Sequence, residues 1–425
     1  MWRHVPYMFF SDPSVQYTRC QVSVLSLMSV ITLAWLYVCF AAYNDNNDVL
    51  LSVSLVIVML GIAVVSLCWT AEWEAVRLLL QATAPFLHLA AVVALTMISW
   101  LVFQRYHRGR CPCVLFMVFI SPLFIYSPCI SYMLPPKPAL VAHRGAPMLA
   151  PENTMMSFRR SVACHVTAFE TDVQLSKDMV PFLMHDSGKG FLHRTTNVDA
   201  VFPNRTYNSS SDITWEELQM LNAGDWFVKT DPFWSVSLLS EQEKTVARNQ
   251  TVTSLSELLE LSKERNISLI FDLNVTQFYN IDNGLIVCLC VLFWFFLQIW
   301  WLHEGHRECV KKYYPGFHQV YPDQKTLRND NGSWLNMKYS TLSAEEISDL
   351  RSRNVKVNLW VVNEPWLFSL LWCSGVSSVT TNSCHILKDM SQPDWHLTPH
   401  VYKIIWITAD LVSLLLMFIF FLLQR

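Results

Sequence analysis

Long apolar stretches constrain the fold more than any other feature of this chain. Four of them lie before residue 135, and none of these contains an acidic or basic side chain apart from His88. Each reaches the ~20 residues needed to cross a bilayer. A fifth, Val401 to Leu423, contains Lys403 and Asp410 but ends in a run without charge. We therefore predict α-helical transmembrane spans at residues 22–43, 49–71, 82–103, 114–134 and 401–423.

The composition supports a membrane protein and excludes some classes of function. Of 425 residues, 52% are hydrophobic and 15% are charged, which is too apolar for an ordinary soluble protein. The net charge of -3 and the lack of a basic stripe argue against a nucleic-acid partner. A transporter would need polar residues throughout its spans, whereas only His88 and Asp410 qualify. For Asp410 we favour a position near the interface, within reach of water or Lys403.

The region between the fourth and fifth spans has the size and pattern of one α/β domain. Its ~265 residues are close to the ~250 of an eightfold barrel. Strand patterns alternate with helical ones, as a parallel sheet requires. Helices are predicted at 254–263 and 343–353, and strands at 268–273, 355–362 and 376–380. We therefore divide the chain into a transmembrane region (1–134), a barrel (135–400) and a C-terminal span with a short tail (401–425).

The charge-free run Gly284 to Leu302 is long enough to be a further span. If it crossed the membrane, the candidate glycosylation sites Asn274 and Asn331 would lie on opposite sides and the barrel would be split. We therefore assign this run to the barrel, as a helix followed by a buried strand.

Four polar clusters fall at or within apolar strand patterns between Val141 and Asp186. They are His143-Arg144-Gly145, the segment beginning at Glu152, the pair Glu170 and Asp172, and His185-Asp186. Alone, each could be a surface turn, a solvated edge strand or a strand-to-loop junction. Together within 46 residues, near strand C-terminal ends where barrel enzymes place their chemistry, they indicate a site. Two histidines, paired carboxylates and an arginine favour acid–base chemistry beside a divalent cation on a phosphodiester.

These clusters resemble the glycerophosphodiester phosphodiesterase domain, which is a TIM-barrel fold. The resemblance runs from about Lys137 to Asn382. The segments 85–88 (Pro-Phe-Leu-His) and 366–373 (Trp-Leu-Phe-Ser-Leu-Leu-Trp-Cys) are similar to the multi-pass membrane branch of that family. The resemblance implies a metal-dependent hydrolase for glycerophosphodiesters. Its candidate substrates include glycerophosphoinositol, glycerophosphocholine, lysophospholipids and the phosphodiester of a lipid-anchored surface protein, with membrane lipid as a partner.

Each polar residue then has a predicted role. Glu170, Asp172 and Asp272 are the candidate ligands of Ca²⁺ or Mg²⁺, both of which prefer oxygen donors. Arg144 is placed to bind the substrate phosphate. The resemblance implies that His143 and His185 are the general acid and base, in an order that stays open. Glu152 supports the metal or His143, or else stabilises the helix that follows it.

Three positions depart from the family pattern. Asp272 stands where many members have glutamate, Asn274 where a basic residue is frequent, and Asn382 where an aspartate is common. The shorter carboxylate of Asp272 still binds a metal. The lack of a basic side chain at position 274 would reduce turnover or change the substrate. The alternative function is therefore a catalytically inactive surface or interaction protein that retains the barrel.

Two independent patterns predict that the barrel faces the lumen or the extracellular side. Six Asn-X-Ser/Thr sequons lie between the fourth and fifth spans, and the arginines at 105, 108 and 110 favour a cytoplasmic loop before the fourth span. Counting back places the N-terminus outside, whereas the family resemblance implies five spans before the domain and a cytoplasmic N-terminus. The sequons begin at Asn204, Asn208, Asn249, Asn266, Asn274 and Asn331.

Disulfides are permitted on that side of the membrane, although the sequence leaves their pairing open. The candidate cysteines are Cys129, Cys164, Cys309, Cys373 and Cys384.

Overall fold

A computed structural model describes most of the chain from residue 48 onward. The described residues are 48–69, 73–105, 126–185, 189–273, 299–301, 307–313 and 315–423, together with Trp35. The chain divides into two compact units, residues 1–80 and 81–425. The first unit holds helix α1 (Asp48–Trp69) and the beginning of α2 (Trp73–Arg105).

The second unit contains a parallel β-barrel, which confirms the predicted fold class. Eight strands follow one another in the hydrogen-bonded order β6-β5-β4-β2-β1-β9-β8-β7, and β3 adds antiparallel to β2. The strands are β1 (Ala139–His143), β2 (Ala168–Leu175), β3 (Pro181–Leu183), β4 (Ser268–Leu273), β5 (Ile299–Trp301), β6 (His318–Gln319), β7 (Trp334–Lys338), β8 (Lys356–Trp360) and β9 (Ser378–Thr381).

The segment after β6 nearly closes the barrel. Tyr321 forms a parallel bridge with Leu335 of β7. Its backbone nitrogen donates to the Trp334 carbonyl at 3.0 Å, and its carbonyl accepts from the Asn336 nitrogen at 2.8 Å. The two end strands of the sheet are therefore joined through one residue.

Apolar and polar layers both fill the barrel. Val141, Ala168, Ile270, Trp300 and Val320 form a buried cluster drawn from four strands and the residue after β6. Burial of such side chains stabilises the fold by ~25 cal/mol per Å² of apolar surface. On the other side of the barrel, the buried Asn358 amide nitrogen donates to Asn336 at 2.7 Å and to Thr380 at 2.8 Å. Because buried polar groups are costly unless they are paired, this network satisfies a layer that apolar packing does not fill.

The two barrel helices whose starts the sequence predicted begin at those residues. Ser254 and Ser343 cap their helices through reciprocal bonds with Glu257 and Glu346, and these helices end near predicted residues. The helices are α3 (Met155–Val162), α4 (Lys189–Thr195), α5 (Val198–Val201), α6 (Trp215–Gln219), α7 (Asp225–Thr230), α8 (Glu241–Arg248), α9 (Leu255–Arg265), α10 (Arg307–Tyr313), α11 (Gln324–Asn329), α12 (Ala344–Ser352), α13 (Pro365–Ser374), α14 (Cys384–Leu387) and α15 (Pro399–Leu423).

The apolar run 284–302 ends in the barrel. Ile299–Trp301 is strand β5, fully buried and hydrogen-bonded between β4 and β6. Its end therefore belongs to the sheet, as predicted, while residues 284–298 lie outside the described residues.

The membrane prediction is supported only in part. Among the described residues, α15 alone is a continuous helix with the length and hydropathy of a span, and Arg77–Thr83 with His88–Met97 adds a second candidate if this pair, bent by 82°, is one span. Residues 126–134 form a loop, so the predicted fourth span does not continue as helix to residue 134. Most of the predicted first span and residues 114–125 lie outside the described residues.

Polar contacts join the two candidate spans. Asp410 has a partner that the sequence did not indicate, because its Oδ1 lies 2.8 Å from His88 Nε2. Farther along the same helices, the hydroxyls of Thr96 and Ser413 lie 2.6 Å apart. Pairing of this kind lowers the cost of placing polar groups in a helix with apolar surroundings.

Two disulfides connect distant parts of the second unit. Cys129 is bonded to Cys373 of α13, and Cys164 is bonded to Cys384 of α14. The second bridge ties the segment after α3 to the helix after the last strand. The structure thus selects two pairs from the cysteines that the sequence left unpaired.

Candidate active site

The corner after β1 places Arg144 beside the neighbouring strand β2. Arg144 and Gly145 both have positive φ, 55° and 89°. A Cβ on Gly145 would lie 2.7 Å from the Ser157 carbonyl carbon, so only glycine fits. The Arg144 nitrogen donates to the Glu170 carbonyl at 2.9 Å, which fixes this corner against β2.

Three carboxylates converge on the sheet edge beside that corner. Glu170 and Asp172 lie on one face of β2 because side chains alternate along a strand. Asp272 of β4 is the direct register partner of Asp172. Ligand oxygens of the three groups all lie within 4.8 Å of one another. Clustered carboxylate oxygens are the donor set that Ca²⁺ and Mg²⁺ prefer, so these residues fit a hard divalent cation.

Arg144 lies between these acids and Glu152. Its Nε is 3.2 Å from Asp172 Oδ2, an ion pair without hydrogen-bond geometry, and its Nη1 donates to Glu152 Oε2 at 3.3 Å. Burial alone would lower the pKa of Arg144, but the charges of Asp172, Glu152 and Glu170 raise it above its ordinary value. The guanidinium therefore stays charged and is held by carboxylates on two sides.

The pKa values of the two acids of β2 are shifted in opposite directions. Burial, followed by the charge of Asp172, raises the pKa of Glu170 well above its usual range. Burial would also raise the pKa of Asp172, but Arg144, His185 and His143 lower it. The Asn153 amide donates to Asp172 at 3.2 Å and stabilises its charged form. Crowded acids of this kind are the arrangement that a bound cation would relieve.

His143 is oriented by an amide that directly follows the neighbouring strand β9. Its Nδ1 lies 2.7 Å from Asn382 Oδ1, so Nδ1 carries the proton and donates it to this oxygen. The backbone nitrogen of Asn382 donates to Asn363 Oδ1 at 2.8 Å. His143 Nε2 is 3.9 Å from Glu170 Oε2, facing the acids. Burial, and then the charge of Arg144, lowers the pKa of His143 to about 4.

His185 approaches the same acids from the end of β3. The charge of His185 contributes to lowering the pKa of both Asp172 and His143, so its ring lies near both groups. The His185 ring packs on Phe191 of α4, with ring centroids 5.5 Å apart. Asp186, which follows it, and Asn274 lie outside the described residues.

The structure brings the seven candidate site residues into one place and adds others that sequence reasoning missed. Asn153 and Asn363 orient charged or polar partners, and Arg194 contacts Glu152. The asparagines follow strand or turn signals that also occur in ordinary loops, so no local pattern singled them out. Asn382 was noted as a departure from the family, but its contact with His143 joins residues 239 positions apart.

An apolar cavity lies outside the barrel, among the described residues. It has a volume of about 1060 Å³ and lies between the helices α2 and α15. Its lining is almost entirely apolar, including Val92, Ile404 and Leu416. Such a lining carries none of the groups that acid–base chemistry needs, so the site is defined by its polar cluster.

A parallel barrel with carboxylates, histidines and an arginine gathered at one end defines a phosphodiesterase, and the comparisons with known proteins agree. Models of the glycerophosphoryl diester phosphodiesterase family match residues 143–297 and 356–383. The chain belongs to the glycerophosphoryl diester phosphodiesterase family.

Curated relatives cover most of the chain. The glycerophosphoinositol inositolphosphodiesterase of Mus musculus is 44% identical over 400 residues, which are 90% of this chain and 74% of that protein. Its Homo sapiens counterpart is also 44% identical, over 404 residues. The human glycerophosphodiester phosphodiesterase domain-containing protein 5 is 42% identical over 393 residues, 86% of this chain and 64% of that protein.

Solved structures are similar at lower identity. A glycerophosphoryl diester phosphodiesterase from Silicibacter pomeroyi has a TM-score of 0.49 and 17% identity, covering 66% of this chain and 96% of its own. An Oleispira antarctica phosphodiesterase in complex with sn-glycerol-3-phosphate has a TM-score of 0.47 and 20% identity, covering 59% of this chain and 95% of its own.

Proposed function

We propose that this chain hydrolyses glycerophosphodiesters with the help of a divalent cation, Ca²⁺ or Mg²⁺. One observation carries the proposal: three carboxylates within 4.8 Å of one another lie beside an arginine and two histidines at the carboxyl ends of adjacent strands. Asp272 reaches the other two acids although it is shorter than the glutamate that the family resemblance leads one to expect. This reach supports an active site over the alternative of a silent barrel.

Each protein group has a separate task in such a reaction. The cation would sit among Glu170, Asp172 and Asp272 and neutralise charge on the phosphate oxygens. Arg144 would bind a further phosphate oxygen through its N–H donors, exchanging part of its contact with Asp172 or Glu152. Loss of one such charged hydrogen bond costs ~1.5–3 kcal/mol.

The two histidines would move the protons. Because the Nδ1 of His143 donates its proton to Asn382, Nε2 is the free ring nitrogen. It would accept a proton from the hydroxyl group that attacks the phosphorus atom. His185 would then donate a proton to the leaving alkoxide. This assignment proposes an order that the sequence left open.

The substrate class follows from the relatives and remains a proposal for this chain. Glycerophosphoinositol is the leading candidate, since two relatives at 44% identity carry its name. Glycerophosphocholine, lysophospholipids and a lipid-anchor phosphodiester are the alternatives. A membrane anchor such as α15 would place the barrel near lipid headgroups.

The test is hydrolysis of a panel of glycerophosphodiesters by the detergent-solubilised full-length protein. We expect activity with Ca²⁺ or Mg²⁺, its loss with chelator, and a ~10²- to 10⁴-fold decrease in kcat for His143→Ala. His193→Ala, a histidine that pairs with Asp199 outside the site, is the matched control. If wild type and His143→Ala are equally inactive under every metal condition, the barrel is silent and the proposal fails.

We further propose that the barrel faces the lumen or the cell exterior. All five described sequon asparagines, at 204, 208, 249, 266 and 331, are exposed. The two disulfides are bonds that oxidising compartments permit. Glycosidase treatment of the full-length protein from cells should lower its apparent mass, and a glycan-free chain with reduced cysteines would argue for a cytoplasmic barrel.

A further inference from the structure

Arg194 of α4 occupies the rim of the active site on top of two aromatic rings. Its guanidinium carbon is 4.4 Å from the centroid of Phe191 and 5.2 Å from that of Trp226. The Arg194 side chain keeps 37% of its surface exposed. The group is therefore a stacked cation that is still open to an incoming molecule.

Two contacts connect this cation to the catalytic groups. Phe191, on which Arg194 stacks, also packs against the ring of His185 at 5.5 Å. The Arg194 Nη2 donates to Glu152 Oε1 at 3.4 Å, and the other Glu152 oxygen accepts from Arg144 at 3.3 Å. One buried carboxylate is thus shared by two guanidinium groups, with Arg144 facing the acids and Arg194 facing the rim.

The stacking decides which headgroups this rim can accept. Aromatic faces bind quaternary ammonium groups by cation–π attraction, but here a protein cation already covers both rings. A trimethylammonium group approaching these rings would be repelled by the positive charge of Arg194. A guanidinium carries five N–H donors, and the Glu152 contact engages one of its nitrogens. Hydroxyl and phosphate oxygens are acceptors for the remaining donors.

We propose that Arg194, supported by Phe191 and Trp226, is a specificity-determining residue that favours hydroxyl-rich, neutral or anionic headgroups and disfavours quaternary ammonium headgroups. This inference rests on the proposed function, because it assumes that the diester binds with its phosphate at Arg144. In this proposal Arg194 contacts the alcohol part of the substrate and takes no part in breaking the phosphodiester bond.

The experiment compares two substrates on the full-length protein. We expect wild type to have a higher kcat/KM for glycerophosphoinositol than for glycerophosphocholine. Arg194→Gln should lower kcat/KM for the inositol diester about tenfold, the size of one charged hydrogen bond, and raise it for the choline diester. Arg194→Lys keeps the charge but loses the planar fork, so it should still disfavour choline while losing part of the inositol activity.

Arg205→Gln is the matched control. Arg205 also lies over an aromatic ring, 5.4 Å from the centroid of Phe202, and pairs with Glu217. It belongs to the loop before the short helix α6 and is separate from the site. The two kcat/KM values of this variant should equal those of wild type.

Two results would overturn the inference. An equal decrease on both diesters in Arg194→Gln would mean that Arg194 acts only by supporting Glu152, and unchanged values would mean that the headgroup does not reach it. A decrease on the inositol diester alone, with a changed ratio, supports it.

A binding measurement separates this inference from the proposed function. In the His143→Ala background, stabilisation against heat by each intact diester reports binding without turnover. If wild type hydrolyses neither diester, the proposed function fails, but the selectivity of Arg194 is still decided by this measurement. Preferential stabilisation by the inositol diester that is lost in His143→Ala/Arg194→Gln supports the inference, and equal stabilisation of both backgrounds by both diesters overturns it.

Discussion

Asp272 of β4 lies directly opposite Asp172 of β2 in the parallel register, with both carboxylates on the side of the sheet where Glu170 also lies. A one-residue slip of either strand would move one of these acids to the other face of the sheet. The candidate cation site therefore depends on strand pairing as much as on the identity of the acids.

The first prediction concerns Asp272. Asp272→Asn keeps the shape of the side chain but removes one anionic ligand, so we expect cation affinity and kcat/KM to decrease at least about tenfold. Stabilisation of the protein against heat by Ca²⁺ or Mg²⁺ measures the affinity independently of activity. Asp349→Asn, an exposed acid on α12 that pairs with Arg353, is the control. Full activity and an unchanged cation requirement in Asp272→Asn would exclude Asp272 as a ligand.

The second prediction concerns the amide that orients His143. Asn382→Ala removes the acceptor of the Nδ1 proton, and we expect kcat to decrease about 10- to 100-fold with little change in KM. Asn382→Asp restores the acceptor and adds a negative charge, so it should retain activity and shift the lower limb of the pH profile toward higher pH. If the alanine and aspartate variants lose activity equally, with unshifted profiles, the contact is merely structural.

The third prediction concerns the disulfide between Cys164 and Cys384. It closes a loop of 220 residues between the segment after α3 and the helix that follows Asn382. In the chain-entropy view such a bridge contributes ~2–4 kcal/mol, so Cys164→Ser/Cys384→Ser should unfold at a lower temperature. Thermal unfolding of the purified protein checks this. The decreases in the free energy of unfolding caused by this double variant and by Cys129→Ser/Cys373→Ser should add, because the two bridges share no residue.

An equal melting temperature for wild type and the Cys164→Ser/Cys384→Ser variant would contradict this prediction. Such a result would mean that the packing of α14 holds the corner without the bridge.

The fourth prediction concerns the pH dependence of stability at Glu243. Hydrogen bonds from the Ser240 backbone and side chain, and then from Arg160, lower the pKa of Glu243 from 4.5 to about 2. Because the folded-state pKa is depressed, the stabilisation is fully present above pH 4.5 and is lost as the pH falls toward 2. Since the pair is on the surface, the effect is expected to stay below ~1 kcal/mol.

Glu243→Gln tests this linkage because glutamine can still accept the capping bonds of Ser240. We expect a slightly lower melting temperature than wild type at pH 7 and the same melting temperature near pH 2. A difference that persists unchanged at low pH would assign the effect to the cap rather than to the charge.

Local patterns were sufficient to predict much of the barrel. Capping signals at Ser254 and Ser343 depend on neighbouring residues, so the helices that follow them begin as predicted. The strand at 268–273 has one fully apolar face and is found at the predicted residues. By contrast, an apolar run does not reveal where a span ends, and residues 126–134 form a loop rather than the end of a helix.

The sequence by itself determined the family, the barrel and the types of side chain available for chemistry, because strand alternation and motif spacing are local properties. Only the tertiary structure decided the partners: Asn382 for His143, Asp272 opposite Asp172, Arg194 beside Glu152, His88 for Asp410 and the two disulfide pairs. These contacts join residues from 42 to 322 positions apart. Sheet register and helix packing bring such residues together, and no short stretch of sequence encodes either.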